Sequence, residues 1–188
     1  MRHAAPLLAA IALLAACGDP TSTATAPVDQ VRASQAGLGR DVNRDLATLR
    51  RVTAPFHNFE QAQDAGWLAK ITPCMTNPAE GGMGFHYGNV GLIDGAVAVD
   101  EPELLLYEPQ KNGRLRLVAV EYIVPLSAWT SSQPPRLFGR DFHVNEMFQV
   151  WALHAWVWKE NPSGMFADWN SLVSCEYTDD VLVVAAGH

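Results

Sequence analysis

Three side chains able to do metal or acid–base chemistry stand mid-run in three separate β-patterned segments. They are His86 in GGMGFHYG, Glu121 in LRLVAVEYI and His154 in WALHAWVW. Strand alternation places Gly84 and His86 on one face of their segment and Met83, Phe85 and Tyr87 on the other. It groups Glu121 with Leu115, Leu117, Ala119 and Ile123, and His154 with Ala152, Trp156 and Trp158. A carboxylate amid apolar neighbours is costly unless it is paired or bound to a metal. Two imidazoles and one carboxylate suffice for Zn²⁺, or for Fe²⁺ or Mn²⁺ with open positions. Their convergence rests on strand parity, which one bulge overturns. The competing expectation is that the histidines are hydrogen-bonded core residues and that Glu121 faces Arg114 or Arg116. His57 is the next candidate ligand, against a surface role. His143, in the polar run RDFHVNE, is expected at the surface.

Other chemistries find less support. Gly82-x-Gly84 begins a dinucleotide fingerprint, but Tyr87 stands where the third glycine belongs, and no crossover helix follows. No nucleophile-elbow motif is present, and Ser163 lies in a Pro-Gly turn. Cys74 and Cys175 are expected to be consumed by each other. The aromatics offer a further option. Tyr87, Tyr122, Trp156 and Trp158 have the character of a small-molecule pocket lining, or of the core of a small β-rich domain. Gly84, sharing the His86 face, is expected to leave space beside the imidazole.

The elements that must position these residues follow from periodicity. Leu38, Val42, Leu46 and Leu49 make one helical stripe between about Val28 and Val52, which Pro55 ends. Gly37 and Gly39 are candidate early breaks. Asn58 with Gln61 forms a capping pair for a short helix that Gly66 stops. Strands are predicted near Gly82–Tyr87, Glu103–Tyr107, Leu115–Val124 and Val150–Lys159, with a weaker one at Val181–Ala185. Asn112-Gly113 predicts a hairpin between the second and third of these. The fold class is α+β: N-terminal helices followed by a mostly antiparallel β-sheet.

The chain begins with a basic residue, Arg2, and an apolar run from Ala5 to Ala16, too short to span a bilayer. This is the layout of a secretory signal peptide. Leu14-Ala15-Ala16-Cys17 resembles the lipobox of bacterial lipoproteins, in which the cysteine carries the lipid. The expected organisation is a signal peptide over 1–16, a lipidated Cys17 with a flexible tether over 17–30, and one globular domain over 31–188. That implies export and a periplasmic or cell-surface location, with the membrane contacted through the lipid anchor alone. Removing the leader leaves roughly 170 residues, one domain with room for a core. The net charge of −7 and the lack of a basic cluster exclude nucleic acid as a natural partner. With Cys17 assigned to lipid, two of three cysteines remain. In an exported protein Cys74 and Cys175 are expected to form a disulfide, the alternative being a metal site without a CxxC motif.

Several segments together resemble a group of exported bacterial proteins of hypothetical function: Ala65-Gly66-Trp67, Gly82–Tyr87, Glu103–Pro109, Leu117–Tyr122, Leu153–Trp158 and Asn161–Asn170 running to Cys175. The resemblance covers about residues 55–177 and brings no activity with it. Pro162-x-Gly164 is also similar to part of the second cupin motif, but Ala167 stands where a cupin places a metal-binding histidine. The functional expectation is a lipid-anchored extracytoplasmic binding protein with a small-molecule or divalent-metal pocket around His86, Glu121 and His154. The alternatives are a structural or interaction lipoprotein without pocket chemistry and a metal-dependent enzyme, in which Glu121 would be the natural general base.

Overall fold

The computed structural model describes Met1 and residues 26–185, with side chains from Gly39 onward. The expected signal peptide beyond Met1, Cys17 and most of the expected tether lie outside the described residues, as does His188. The chain divides into units 1–36 and 37–188. The second contains every candidate ligand, pocket and disulfide residue.

Most of this unit is a curled mixed sheet with few helices, a loose α+β arrangement. The helices are α1 (Ala26–Thr53), which begins inside the span expected to be tether, and the one-and-a-half-turn α2 (Phe59–Asp64). Gly37 and Gly39 do not interrupt α1. Leu46 and Leu49 of α1 are buried, and Val42 packs beside them. The Asn58 side chain accepts a hydrogen bond from the Glu60 N–H at 3.1 Å and so caps α2. Gly66, at φ +111°, follows its end.

The large sheet has seven strands in the order β7-β8-β4-β3-β2-β1-β9. They are β1 (Ala69–Asn77), β2 (Gly81–Gly88), β3 (Leu104–Pro109), β4 (Leu115–Pro125), β7 (His143–Asn145), β8 (Val150–Ala155) and β9 (Val181–Val183). A two-stranded ribbon of β5 (Arg136–Leu137) and β6 (Arg140–Asp141) stands apart. Every pairing in the large sheet is antiparallel except that of β1 with β9. The four β-rich runs and the weaker fifth all form strands, though β8 stops at Ala155 rather than Lys159. Strand β1 went unpredicted because Pro73 interrupts its run. Pro73 sits where the β1–β2 register slips between Thr72 and Met75, a place where a missing N–H is tolerated.

Two apolar layers cover the sheet. One face carries Leu105, Tyr107, Leu117, Val120, Tyr122 and Leu153 against the helical segment. The other carries Leu104, Leu106, Val118, Ala119, Ile123 and Ala152 with Met75, Met83 and Trp156. A disulfide joins Cys74 to Cys175 across 101 residues, with Cα atoms 5.8 Å apart, and ties the segment before β9 to β1.

Two parity expectations are corrected here. In the β3–β4 ladder Leu106 faces Ala119 and Tyr107 faces Leu117, so Val118 is an extra residue. That bulge sends Leu117 to the helix-covered face, while Glu121 keeps Ala119 and Ile123 as neighbours. In β2 the left-handed φ of +87° at Gly84 rotates the strand, and Met83 joins the His86 face instead of opposing it.

Candidate metal centre

The sheet brings the three mid-strand residues together. Glu121 of β4 lies directly opposite His154 of β8, and His86 of β2 lies opposite Leu106 of the intervening β3. All three are buried, at 3% exposure for His86, 5% for Glu121 and 2% for His154. The Nε2 atom of His86 is 3.4 Å from Glu121 Oε2, and the Nε2 atom of His154 is 3.7 Å from Glu121 Oε1. One donor atom from each residue falls within 4.8 Å of the others. Ligands ~2.0–2.1 Å from a tetrahedral ion stand ~3.3–3.4 Å from one another, so small side-chain adjustments would close this set around one ion.

The far sides of both imidazoles are held. His86 Nδ1 and Thr72 Oγ1 of β1 are hydrogen-bonded at 2.8 Å. His154 Nδ1 lies 3.3 Å from Asp168 Oδ1. The other Asp168 oxygen lies 3.4 Å from Nε2 of the half-exposed His143 on β7. Outer carboxylate and hydroxyl contacts of this kind fix ring orientation in metal sites and leave the opposite nitrogen for the ion. His154 Nε2 is buried without a hydrogen-bond partner among the described residues, whereas Nδ1 has the Asp168 contact, which lacks the alignment of a good hydrogen bond. A buried polar atom left unpaired in this way is expensive.

Glycines place the loop that supplies Asp168. Gly82 exchanges backbone hydrogen bonds with Asn170, donating at 3.0 Å and accepting at 3.1 Å. A Cβ on Gly81 would meet the Asn170 carbonyl oxygen at 2.3 Å, so only glycine lets the loop lie on β2. The Trp156 indole N–H donates to the Ala167 carbonyl at 2.6 Å, next to Asp168. The expectation that Gly84 opens space beside His86 is corrected. Its Cβ would strike the Tyr107 carbonyl oxygen at 2.5 Å, so that glycine serves the approach of β3.

Electrostatics assign different roles to the two histidines. Burial, followed by the neighbouring His154, pulls the His86 imidazole down to about 3. Burial also opposes charge on His154, but Glu121 and Asp168 outweigh it and raise its pKa. Burial pushes the Glu121 carboxyl up, opposed by His154. Burial alone would raise Asp168, yet His154 and His143 hold it below the ordinary range. The result is a neutral imidazole and a cation-favouring one around a single carboxylate. A metal bound here would displace the proton that His154 favours.

Two cavities reach the cluster. One of about 190 Å³ is bounded by His86, Glu121 and His154 together with Ile71, Leu104 and Ile123. The other, about 650 Å³, is bounded by His154, Asp168 and His143. The end of β7 contributes Asn145 to both, and the turn between β7 and β8 contributes Phe148.

The aromatic pocket is corrected. Tyr87, Tyr122 and Trp158 pack on the helix-covered face, away from the cluster. Tyr122 donates to the Val99 carbonyl at 2.7 Å, and Trp158 donates to Thr53 Oγ1 at 3.0 Å. Trp158 changes side because β8 ends at Ala155. Trp156 remains on the cluster's face, its ring plane 12° from parallel to that of His154, but it bounds neither cavity. His57 lies on the far side too, edge-on to Trp158 at 4.4 Å. Glu121 does not meet the hairpin arginines, since Arg116 stands opposite Glu108. Sequence reasoning missed Thr72, on the strand that Pro73 disguised, and Asp168, in an aperiodic loop. The aromatic setting of Asp168 in MFADWN was the one available signal.

Comparison with protein-family models, curated proteins and solved structures finds no match to this chain.

Proposed function

We propose that this chain is a lipid-anchored extracytoplasmic protein that binds a divalent metal between His86 Nε2, the Glu121 carboxylate and His154 Nε2. The observation that carries the reading is His154 Nε2, a buried ring nitrogen without a hydrogen-bond partner among the described residues, beside a buried carboxylate. A hydrogen-bonded core would be expected to satisfy that atom, and contacts of 3.4 and 3.7 Å to Glu121 are longer than good hydrogen bonds. Zn²⁺, Fe²⁺ and Mn²⁺ all accept this donor set. The anchor rests on Leu14-Ala15-Ala16-Cys17 and on the expected leader before it. Among the described residues no helix is long and apolar enough to cross a membrane.

Three protein ligands leave coordination positions open, which favours a metal-dependent enzyme as the second reading. Glu121 would then be a ligand and no longer the base. Asp168, on the larger cavity, is the carboxylate left for proton transfer.

The test is elemental analysis of the full-length chain purified without a histidine tag, paired with thermal melting. About one equivalent of metal is expected. At a hundredfold excess over Kd the ion should add ~2.7 kcal/mol, roughly 5–10 °C in Tm for a chain of this size. Glu121→Gln should lose the metal and the thermal response together. Substoichiometric metal in wild type, with a Tm indifferent to chelator and to added Zn²⁺, Mn²⁺ or Fe²⁺, refutes the proposal.

A further inference from the structure

The wall that the two cavities share contains three side chains with soft or borderline donor atoms: Met75, Met83 and His154. Both methionines are buried, at 4% and 6% exposure. Met75 enters through β1 at the Pro73 irregularity, and Met83 through the rotation at Gly84. Two separate departures from regular strand geometry therefore put thioethers in the same cavity wall as that imidazole. A third methionine, the half-exposed Met147, borders the larger cavity. Three of the chain's five methionines thus bound one cleft.

We propose that this shared wall is a site for a soft monovalent metal ion, Cu(I), held by the Met75 and Met83 sulfurs and a ring nitrogen of His154. Thioethers discriminate strongly between ions. They are poor ligands for Mg²⁺, Mn²⁺ or Zn²⁺ and good ones for Cu(I). They are also neutral, which suits the charge of the ion. The cost of burying an ion rises with the square of its charge, so an apolar wall accepts +1 far more readily than +2. The buried Glu121 beside His154 supplies one compensating negative charge. Methionine also fills irregular gaps in ordinary cores, and leucine of similar volume does that equally well. The two roles therefore separate experimentally. This site goes beyond the divalent centre. It shares His154 with that centre and needs neither His86 nor a divalent ion.

The test uses the full-length chain in mild detergent, kept reduced with ascorbate under anaerobic conditions. Cu(I) is titrated in competition with bathocuproine disulfonate, and Zn²⁺ binding and Tm are measured in parallel. Met75→Leu/Met83→Leu should weaken Cu(I) binding by at least about tenfold and leave Zn²⁺ affinity and Tm at wild-type values. A double variant that binds Cu(I) as wild type does, or loses Cu(I) and Zn²⁺ alike, overturns the inference. A second measurement needs no variant. In wild type carrying ¹³C-methyl methionine, Ag(I), a redox-inert stand-in, should shift the Met75 and Met83 signals. Met165, on the opposite face, should stay in place. Bound Ag(I) that leaves Met75 and Met83 unmoved also overturns it. Wild type that takes Cu(I) but no divalent ion upholds this site and removes the divalent reading. The reverse outcome removes this site alone.

Discussion

Gly84 offers a direct test of how the sheet delivers His86. The substitution is Gly84→Ala, with Gly113→Ala as its internal reference. Both glycines hold left-handed backbone, at φ +87° and +75°. An alanine at either position loses ~1 kcal/mol or somewhat more to that conformation. The two sites differ in their surroundings. A Cβ at Gly113, in the β3–β4 turn, meets nothing within 4 Å, whereas a Cβ at Gly84 meets the Tyr107 carbonyl oxygen at 2.5 Å and its carbon at 2.9 Å. Those are backbone atoms of a central strand, so relief requires β2 and β3 to part. Overpacking of this kind costs ~1–3 kcal/mol. Gly84→Ala should therefore lose roughly 2–5 kcal/mol and Gly113→Ala about 1–2 kcal/mol, measured by urea denaturation of each variant. Because His86 sits two residues along, metal affinity should fall in Gly84→Ala and hold in Gly113→Ala. Equal losses in the two variants, within about 0.5 kcal/mol, would refute the steric argument. A Gly84→Ala protein with normal metal affinity would sever the link to His86.

The remaining predictions concern other parts of the chain. Replacing Cys74 and Cys175 with serine opens a closure of 101 residues. In the chain-entropy treatment that removes ~4–5 kcal/mol, a loss that urea titration would register, and a change under ~1 kcal/mol would contradict it. Glu103 is buried and accepts the Ile123 N–H at 3.1 Å, and burial raises its pKa from 4.5 to about 8. Folding then favours the protonated form, so its stabilising contribution is complete below pH 4.5 and is lost as pH rises through about 8. Glu103→Gln should flatten stability across that window, with a gain at the alkaline end of up to several kcal/mol at ~1.4 kcal/mol per pH unit, and parallel wild-type and variant curves would contradict the assignment. Finally, Cys17→Ser should abolish incorporation of radiolabelled palmitate in a bacterial host, and persistent labelling would place the lipid elsewhere.

What the sequence determined by itself was local. Residue type and alternation identified five strand-forming runs, placed His86, Glu121 and His154 mid-strand, and singled out the two cysteines that bond. Each of these needs only a few neighbouring residues to be read, because side-chain direction repeats every two residues along a strand. What the tertiary structure decided was non-local. Parity failed wherever a bulge or a left-handed glycine shifted it, at Val118 and at Gly84, because those irregularities answer to the partner strand and not to the run itself. Thr72 was hidden by Pro73, whose missing N–H matters only once its ladder neighbours are known. Asp168 came to His154 on a loop with no period, held against β2 because Gly81 and Gly82 allow the approach. The sequence named three candidate ligands. Pairing across the sheet placed them at one point and supplied the residues that orient them.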